Sequence, residues 1–168
     1  MKVILIAAIS ADGFIAQSSD QLSLDWTSKE DTQFFVSKTK EVGHVIMGRK
    51  TFDTIGKPLS GRVLYVHTSS LEGKKEMDGV VYTKTDPGSL LTKLESDGIE
   101  SVVVAGGGGV YSQYLASGLV TDMYLTVEPV VFGEGIPFVK DIERIDMQVE
   151  DVIRLGDQSV LIHYRLDS

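Results

Sequence analysis

The amino-acid sequence predicts one α/β domain over residues 1–168, with a mixed, mostly parallel central sheet, a C-terminal antiparallel hairpin and helices on both faces. Three observations lead there. Short apolar runs alternate with helix-like stretches almost to the C-terminus. The run Val3-Ile4-Leu5-Ile6-Ala7-Ala8-Ile9 is apolar at every position and partly β-branched, which suits a strand covered on both faces. Two late strand-like segments flank Gly156-Asp157, a turn suited to joining antiparallel neighbours.

The elements follow in order. The first strand closes at Ser10-Ala11-Asp12-Gly13; with Lys2 as its only charge and a seven-residue apolar run, it reads as a buried strand and not a secretory leader. A polar loop fills residues 17–25, and a helix is expected over 29–41. A strand over 44–47 meets Gly48 and a short helix beginning Arg49-Lys50-Thr51-Phe52. Strands over 62–67 and 79–83 precede a helix over 87–96, which has Pro87 in its first turn and Gly98 just beyond its end. A Val-rich strand over 101–105 enters Gly106-Gly107-Gly108-Gly109, and a helix from Val110-Tyr111 runs to about residue 116. Strands over 122–127, 147–155 and 159–166 complete the chain.

Composition narrows the function. With 42% apolar residues in 168, a core can form without a disulfide or structural metal. Zero cysteine excludes a thiolate nucleophile and Cys-ligated zinc. A net charge of −8 argues against a nucleic-acid partner, and no run has the length of a membrane span. His44, His67 and His163 fall inside strands without metal-ligand spacing, so no metal is expected. What composition leaves is a soluble, cytoplasmic globular domain.

Local chemistry concentrates in three places. The four glycines let an anionic group approach free N–H groups at a helix start, although glycines also simply permit a tight turn. They are not the Rossmann fingerprint, whose third glycine would fall on Tyr111 or Ser112, and Gly56-Lys57-Pro58 is not a Walker sequence. Around the single Trp, Trp26, both Thr27/Glu30 and Ser28/Asp31 have capping-box spacing. With Thr27 as cap, Glu30 closes the box and Asp31 is left free, sharing a face with Phe35. Such an acid in an apolar cleft could bind a flat heterocycle, whereas spacing alone weighs toward a solvated acid favoured by the helix dipole. Arg49-Lys50-Thr51 suits a phosphate and Arg62 a carboxylate, against the default of ordinary surface bases.

Taken in order, Ile6-Ala7-Ala8, Trp26 through Asp31 to Phe35, Val45 through Gly48-Arg49-Lys50-Thr51-Phe52, Ile55 through Leu59 to Arg62, and Val104 through the glycines to Tyr111 resemble dihydrofolate reductase over essentially the whole chain. Ile9-Ser10-Ala11-Asp12-Gly13-Phe14-Ile15-Ala16 and Pro129 through Gly135 are similar to the riboflavin-biosynthesis reductase branch of that superfamily. The resemblance implies a dihydrofolate reductase-like fold and NADPH-dependent reduction of 7,8-dihydrofolate to tetrahydrofolate by hydride transfer to the pterin ring, in a monomer or homodimer whose partner is a small-molecule substrate. Its alternatives are a riboflavin-pathway 5-amino-6-(5-phosphoribosylamino)uracil reductase and a non-catalytic nucleotide-binding protein.

Carried over by position, the resemblance makes Asp31 the acid that binds the pterin's 2-amino group and N3 and promotes N5 protonation, with Trp26 and Tyr111 as the other catalytic residues and Tyr111 beside the nicotinamide. It gives Ile6, Ala7, Phe35, Ile55, Leu59 and Thr126 to the substrate pocket, and Arg62 to a glutamate-tail carboxylate. NADPH would meet Ala8, Ile15, Gly48, Arg49, Lys50, Thr51, Gly106, Gly107, Gly108, Gly109 and Val110, with Thr68 and Ser69 near its 2′-phosphate. A cis peptide is expected at Gly107-Gly108. Three departures stand out: Leu24-Asp25 in a longer loop before Trp26, Thr32 in place of an apolar residue, and Gly109 in place of a phosphate-binding Arg.

Overall fold

The apolar run that opens the chain becomes the centre of the sheet. In the computed structural model, which describes residues 1–166, strand β1 (Lys2–Ser10) pairs in parallel with β6 (Ser101–Val104) on one side and β7 (Asp122–Glu128) on the other. Beyond β6 lie β3 (His44–Gly48), β4 (Val63–His67) and β5 (Val80–Thr83), all parallel. Beyond β7 lie β10 (Ser159–Leu166) and β9 (Met147–Leu155), both antiparallel, giving the order β5-β4-β3-β6-β1-β7-β10-β9. The mixed sheet and the terminal hairpin expected from sequence are thus both present.

Period-2 alternation sorts the central strands between two cores. Val3, Leu5, Val102 and Val104 join Leu90, Leu94, Tyr111 and Tyr114, from α3 (Pro87–Ser96) and α4 (Gly108–Ala116), on one face. Ile4, Ile6, Val103 and Met47 join Phe34, Phe35 and Phe52, from α1 (Lys29–Val42) and α2 (Arg49–Ile55), on the other. A strand with both faces covered needs apolar residues at every position, which is why the first run shows no polar alternation.

Four details differ from the sequence reading. Two short strands, β2 (Phe14–Ala16) and β8 (Ile136–Pro137), form a separate antiparallel pair that was not expected; neither is long enough to show a period. The polar loop over 17–25 contains a 3-10 turn, Ser23–Asp25. Ser28, and not Thr27, caps α1. Helix α4 begins at Gly108, two residues before the expected start, because packing outweighs the low helix propensity of glycine. Among the described residues, no helix is long and apolar enough to cross a membrane.

Candidate active site

Parallel strands end their ladders on one side of the sheet, and the loops that follow them leave a crevice there. In this chain that crevice is a cleft of about 1260 Å³. Pockets for one small ligand run to about 300–1,000 Å³, so this cleft has room for more than one. It is lined by Lys50, Lys57, Arg62, Lys84 and Lys140, but only by Asp31 and Asp86 among the acids. A chain of net charge −8 has therefore gathered bases around one hollow, where they focus a field on an anion.

At one end stands Asp31, in the first turn of α1. The Ser28 Oγ accepts the Asp31 N–H at 3.2 Å and so caps the helix. The Asp31 side chain is 8% exposed, which settles the question left open by spacing: it is a buried acid on a cleft wall. Burial pushes its carboxyl above the usual carboxylate range; the neighbouring Thr126 hydroxyl pulls the other way, and the Glu128 charge adds to the rise. Thr126 Oγ1 itself is fully buried and completes no well-formed hydrogen bond. Thr126 lies too deep to meet a ligand, and of the two it is Asp31 that lines the cleft and can receive one.

Phe35, one turn along the same face, lines the cleft with Ile6, Ala7, Ile55 and Leu59. Arg62 closes that end. Its Nη1 donates to Thr39 Oγ1 at 2.9 Å and its Nε to the Ser60 carbonyl at 3.2 Å, and among the described residues it has no carboxylate partner. Tyr111, on α4, donates its hydroxyl to the Ile6 carbonyl at 2.7 Å, and burial raises the phenol well above its ordinary range. It remains a neutral donor fixed against β1.

The other end is built from glycine. Helices α2 and α4 start from Gly48 and Gly107, neither of which offers a side-chain cap. The Gly48 N–H donates to the Gly106 carbonyl at 2.7 Å and joins the two turns. A Cβ on Gly108 would lie 2.8 Å from the Pro137 carbonyl oxygen, so the β8 backbone can approach only because that side chain is absent. Gly48, Lys50, Thr51, Gly106, Gly107, Gly108, Gly109 and Val110 all line this end, with Ala8, Ile15, Thr68 and Ser69. The cis peptide joins Gly106 and Gly107, one residue before its expected place, since the Gly107–Gly108 bond already enters α4.

Three residues assigned from sequence do not line the cleft. Arg49 is turned to Asp53, one helical turn along α2, and that ion pair takes its charge. Trp26 packs edge-on against Phe132 with ring centroids 5.0 Å apart, and its buried Nε1 has no partner among the described residues. Phe132 is fixed there because the Asp12 carboxylate accepts the Phe132 and Gly133 N–H groups. Thr126 lies behind Asp31, fully buried.

Residues that sequence reasoning missed are His67, Lys84, Asp86, Gln113 and Lys140, all on the cleft wall. Lys84-Thr85-Asp86-Pro87 carries the same strand-to-helix signal that singled out Arg49, with Asp86 capping α3 through the Ser89 N–H. His67 donates to or accepts from the Tyr114 hydroxyl at 2.9 Å, and burial lowers its proton affinity.

Known proteins bear on this arrangement. The family model described as dihydrofolate reductase matches residues 2–143. A Caenorhabditis elegans protein provisionally named a dihydrofolate reductase is 32% identical over 136 residues, covering 74% of this chain and 70% of its own. In fold, the chain is similar to a Shewanella sp. PV-4 protein provisionally ascribed to riboflavin biosynthesis, with 21% identity, a TM-score of 0.84 and full coverage of both chains. It is also similar to the diaminohydroxyphosphoribosylaminopyrimidine deaminase/5-amino-6-(5-phosphoribosylamino)uracil reductase of Thermotoga maritima, with 20% identity and a TM-score of 0.78, over 99% of this chain and 56% of that longer one. The matched sequence spans the strands, the acid-bearing helix and the glycine turn that build the cleft, and the chain belongs to the dihydrofolate reductase family.

Proposed function

We propose that the chain reduces a flat, conjugated heterocycle with NADPH, and that 7,8-dihydrofolate is its substrate. The observation that carries this reading is the pairing, in one cleft, of the buried Asp31 carboxyl with Arg62, a base that has no carboxylate partner among the described residues. Dihydrofolate presents the complement: an amino-substituted ring for the acid and a carboxylate tail for the guanidinium, whose paired hydrogen bonds contribute about 1.5–3 kcal/mol.

The cofactor is supported by the fit of the other end. Two helix starts without side-chain caps, a glycine turn too close to its neighbours for a Cβ at Gly108, and Lys50, Thr51, Thr68, Ser69 and Lys84 suit a phosphate-bearing dinucleotide. The chemistry that NADPH supplies when bound is hydride delivery; positioning falls to the protein. Asp31 orients the ring and holds a proton near it, favoured by its raised proton affinity. Phe35, Ile55 and Leu59 fix the ring plane, and the β2–β8 pair, through Ile15 and Ile136, narrows access of water.

A second reading, reduction of a phosphoribosylamino-pyrimidine, is favoured by the likeness in fold to riboflavin-pathway structures over the entire chain, including the segment after residue 143. The test is nicotinamide absorbance decay with each substrate in turn. Oxidation with dihydrofolate, and an Arg62→Leu variant whose KM for it rises by about 10–100-fold, are expected. Oxidation with the phosphoribosylamino-uracil alone overturns the folate reading, and no oxidation with either overturns both.

A further inference from the structure

We propose that Glu128 is a positioning residue for Asp31: it takes the Ser28 backbone N–H that Asp31 would otherwise accept, and so leaves the Asp31 carboxyl turned into the cleft. The inference rests on the role given to Asp31 under the proposed function.

Ser28 and Asp31 have the spacing of a capping box, in which the N-cap side chain accepts the N–H three residues on and the acid there reaches back to the N-cap N–H. Only the first half forms: Ser28 Oγ accepts the Asp31 N–H. The second half is filled from another element. Glu128 Oε1, at the end of β7, lies 2.7 Å from Ser28 N and 2.8 Å from Ser28 Oγ. Because the Ser28 hydroxyl gives its hydrogen to Glu128, its lone pairs remain for the Asp31 N–H.

Glu128 Oε2 accepts a hydrogen bond from Ser159 Oγ on β10, so the carboxylate is held from both sides. It is 2% exposed, has no basic partner among the described residues, and draws three hydrogen bonds from protein groups. A buried carboxylate so engaged has little capacity left for a ligand, in contrast to Asp31 on the cleft wall. On β7 the even positions Asp122, Tyr124, Thr126 and Glu128 share one face, so Thr126 and Glu128 reach the start of α1 together.

The titratable groups turned toward Asp31 are Glu128 on β7 and Tyr111 on α4. On α1 itself, Lys29 and Glu30 are exposed, and the Glu30 carboxyl lies against the Gly156 turn.

The experiment is a carbon-detected NMR titration of the Asp31 carboxyl in the ligand-free full-length protein, its signal assigned by its loss in Asp31→Asn. Glu128→Gln retains an oxygen for Ser28 but no charge, and Glu128→Ala retains neither. The Asp31 midpoint should fall in Glu128→Gln and fall further in Glu128→Ala, where Asp31 turns back to Ser28. Turnover should stay within a few fold in the first and drop about 10²-fold in the second, the scale for misplacing a reacting group by about 1 Å. Glu128→Ala with the same Asp31 midpoint and turnover as Glu128→Gln overturns the proposal; where Glu128→Ala fails to fold, a Ser28 amide proton that is bonded to Asp31 and not to Glu128 in the unsubstituted protein overturns it. Full turnover in Asp31→Asn would instead remove the catalytic role of Asp31, while a further midpoint shift from Glu128→Gln to Glu128→Ala would still support its positioning by Glu128.

Discussion

Helices α1 and α4 both begin at the cleft, and they begin in opposite ways. The first turn of α1 is furnished with protein groups: Ser28 caps it, and Glu128 takes the N-cap N–H from outside the helix. The first turn of α4 is furnished with none, since Gly107 has no side chain to cap it and Gly108 and Gly109 follow. Saturating a helix start with protein acceptors releases the acid that would otherwise serve there; leaving it bare keeps its N–H groups for an anion from outside. One end of the cleft is thereby suited to a ring with hydrogens to give, and the other to phosphate.

The sharpest way to break this contrast is Asp31→Asn. It keeps the shape and removes the proton-holding group, so turnover should fall by about 10²–10⁴-fold. NADPH affinity, measured by nucleotide fluorescence, should persist because the residue lies at the other end of the cleft. Loss of both together would show that the two ends are not independent.

A smaller effect is expected at the bare helix start. Gly108→Ala places a methyl group 2.8 Å from the Pro137 carbonyl and must push α4 and β8 apart. Overpacking of this kind costs about 1–3 kcal/mol, and NADPH affinity should weaken by about tenfold or more. Gly109→Ala is the control for stability: a Cβ there meets nothing within 4 Å, so the denaturant midpoint should not fall. Equal losses in the two variants would mean that flexibility, and not close approach, is what the glycines supply.

The sequence showed the glycine turn better than it showed the acid, and the reason is physical. Four consecutive glycines after a run of valines have few other uses, and all four line the cleft. Asp31 had an ordinary alternative as a solvated first-turn acid, and what settles its burial is β7, almost a hundred residues away. Thr126 and Glu128 fix the local chemistry of Asp31 through pairing that only the fold creates. A signal for them existed, since Asp122, Thr126 and Glu128 put polar groups at even positions of a strand flanked by β1 and β10. Arg49 shows the reverse case: its strand-to-helix signal marks the turn, but Asp53 four residues on lies on the same helix face and draws the side chain to itself. The β2–β8 pair was illegible because strands of three and two residues carry no period.

The smallest effect tests the same contrast through stability. Burial raises the proton affinity of Asp31 in the folded chain above its unfolded value, so the folded state binds the proton more tightly. Between the unfolded carboxylate pKa of about 4 and the higher folded value, the folded state therefore carries more protons, and stability falls as pH rises. Above that window the penalty for a buried charge is complete; below it the penalty is absent. Asn cannot ionise, so Asp31→Asn should raise Tm at neutral pH, and the gain should disappear below about pH 4. Glu128→Ala should act oppositely, lowering Tm at neutral pH because it leaves the Ser28 and Ser159 hydroxyls without their acceptor. Calorimetry of both variants across that range separates an acid held ready for a ligand, whose ionisation weakens the fold, from one already engaged by the protein, whose removal weakens it.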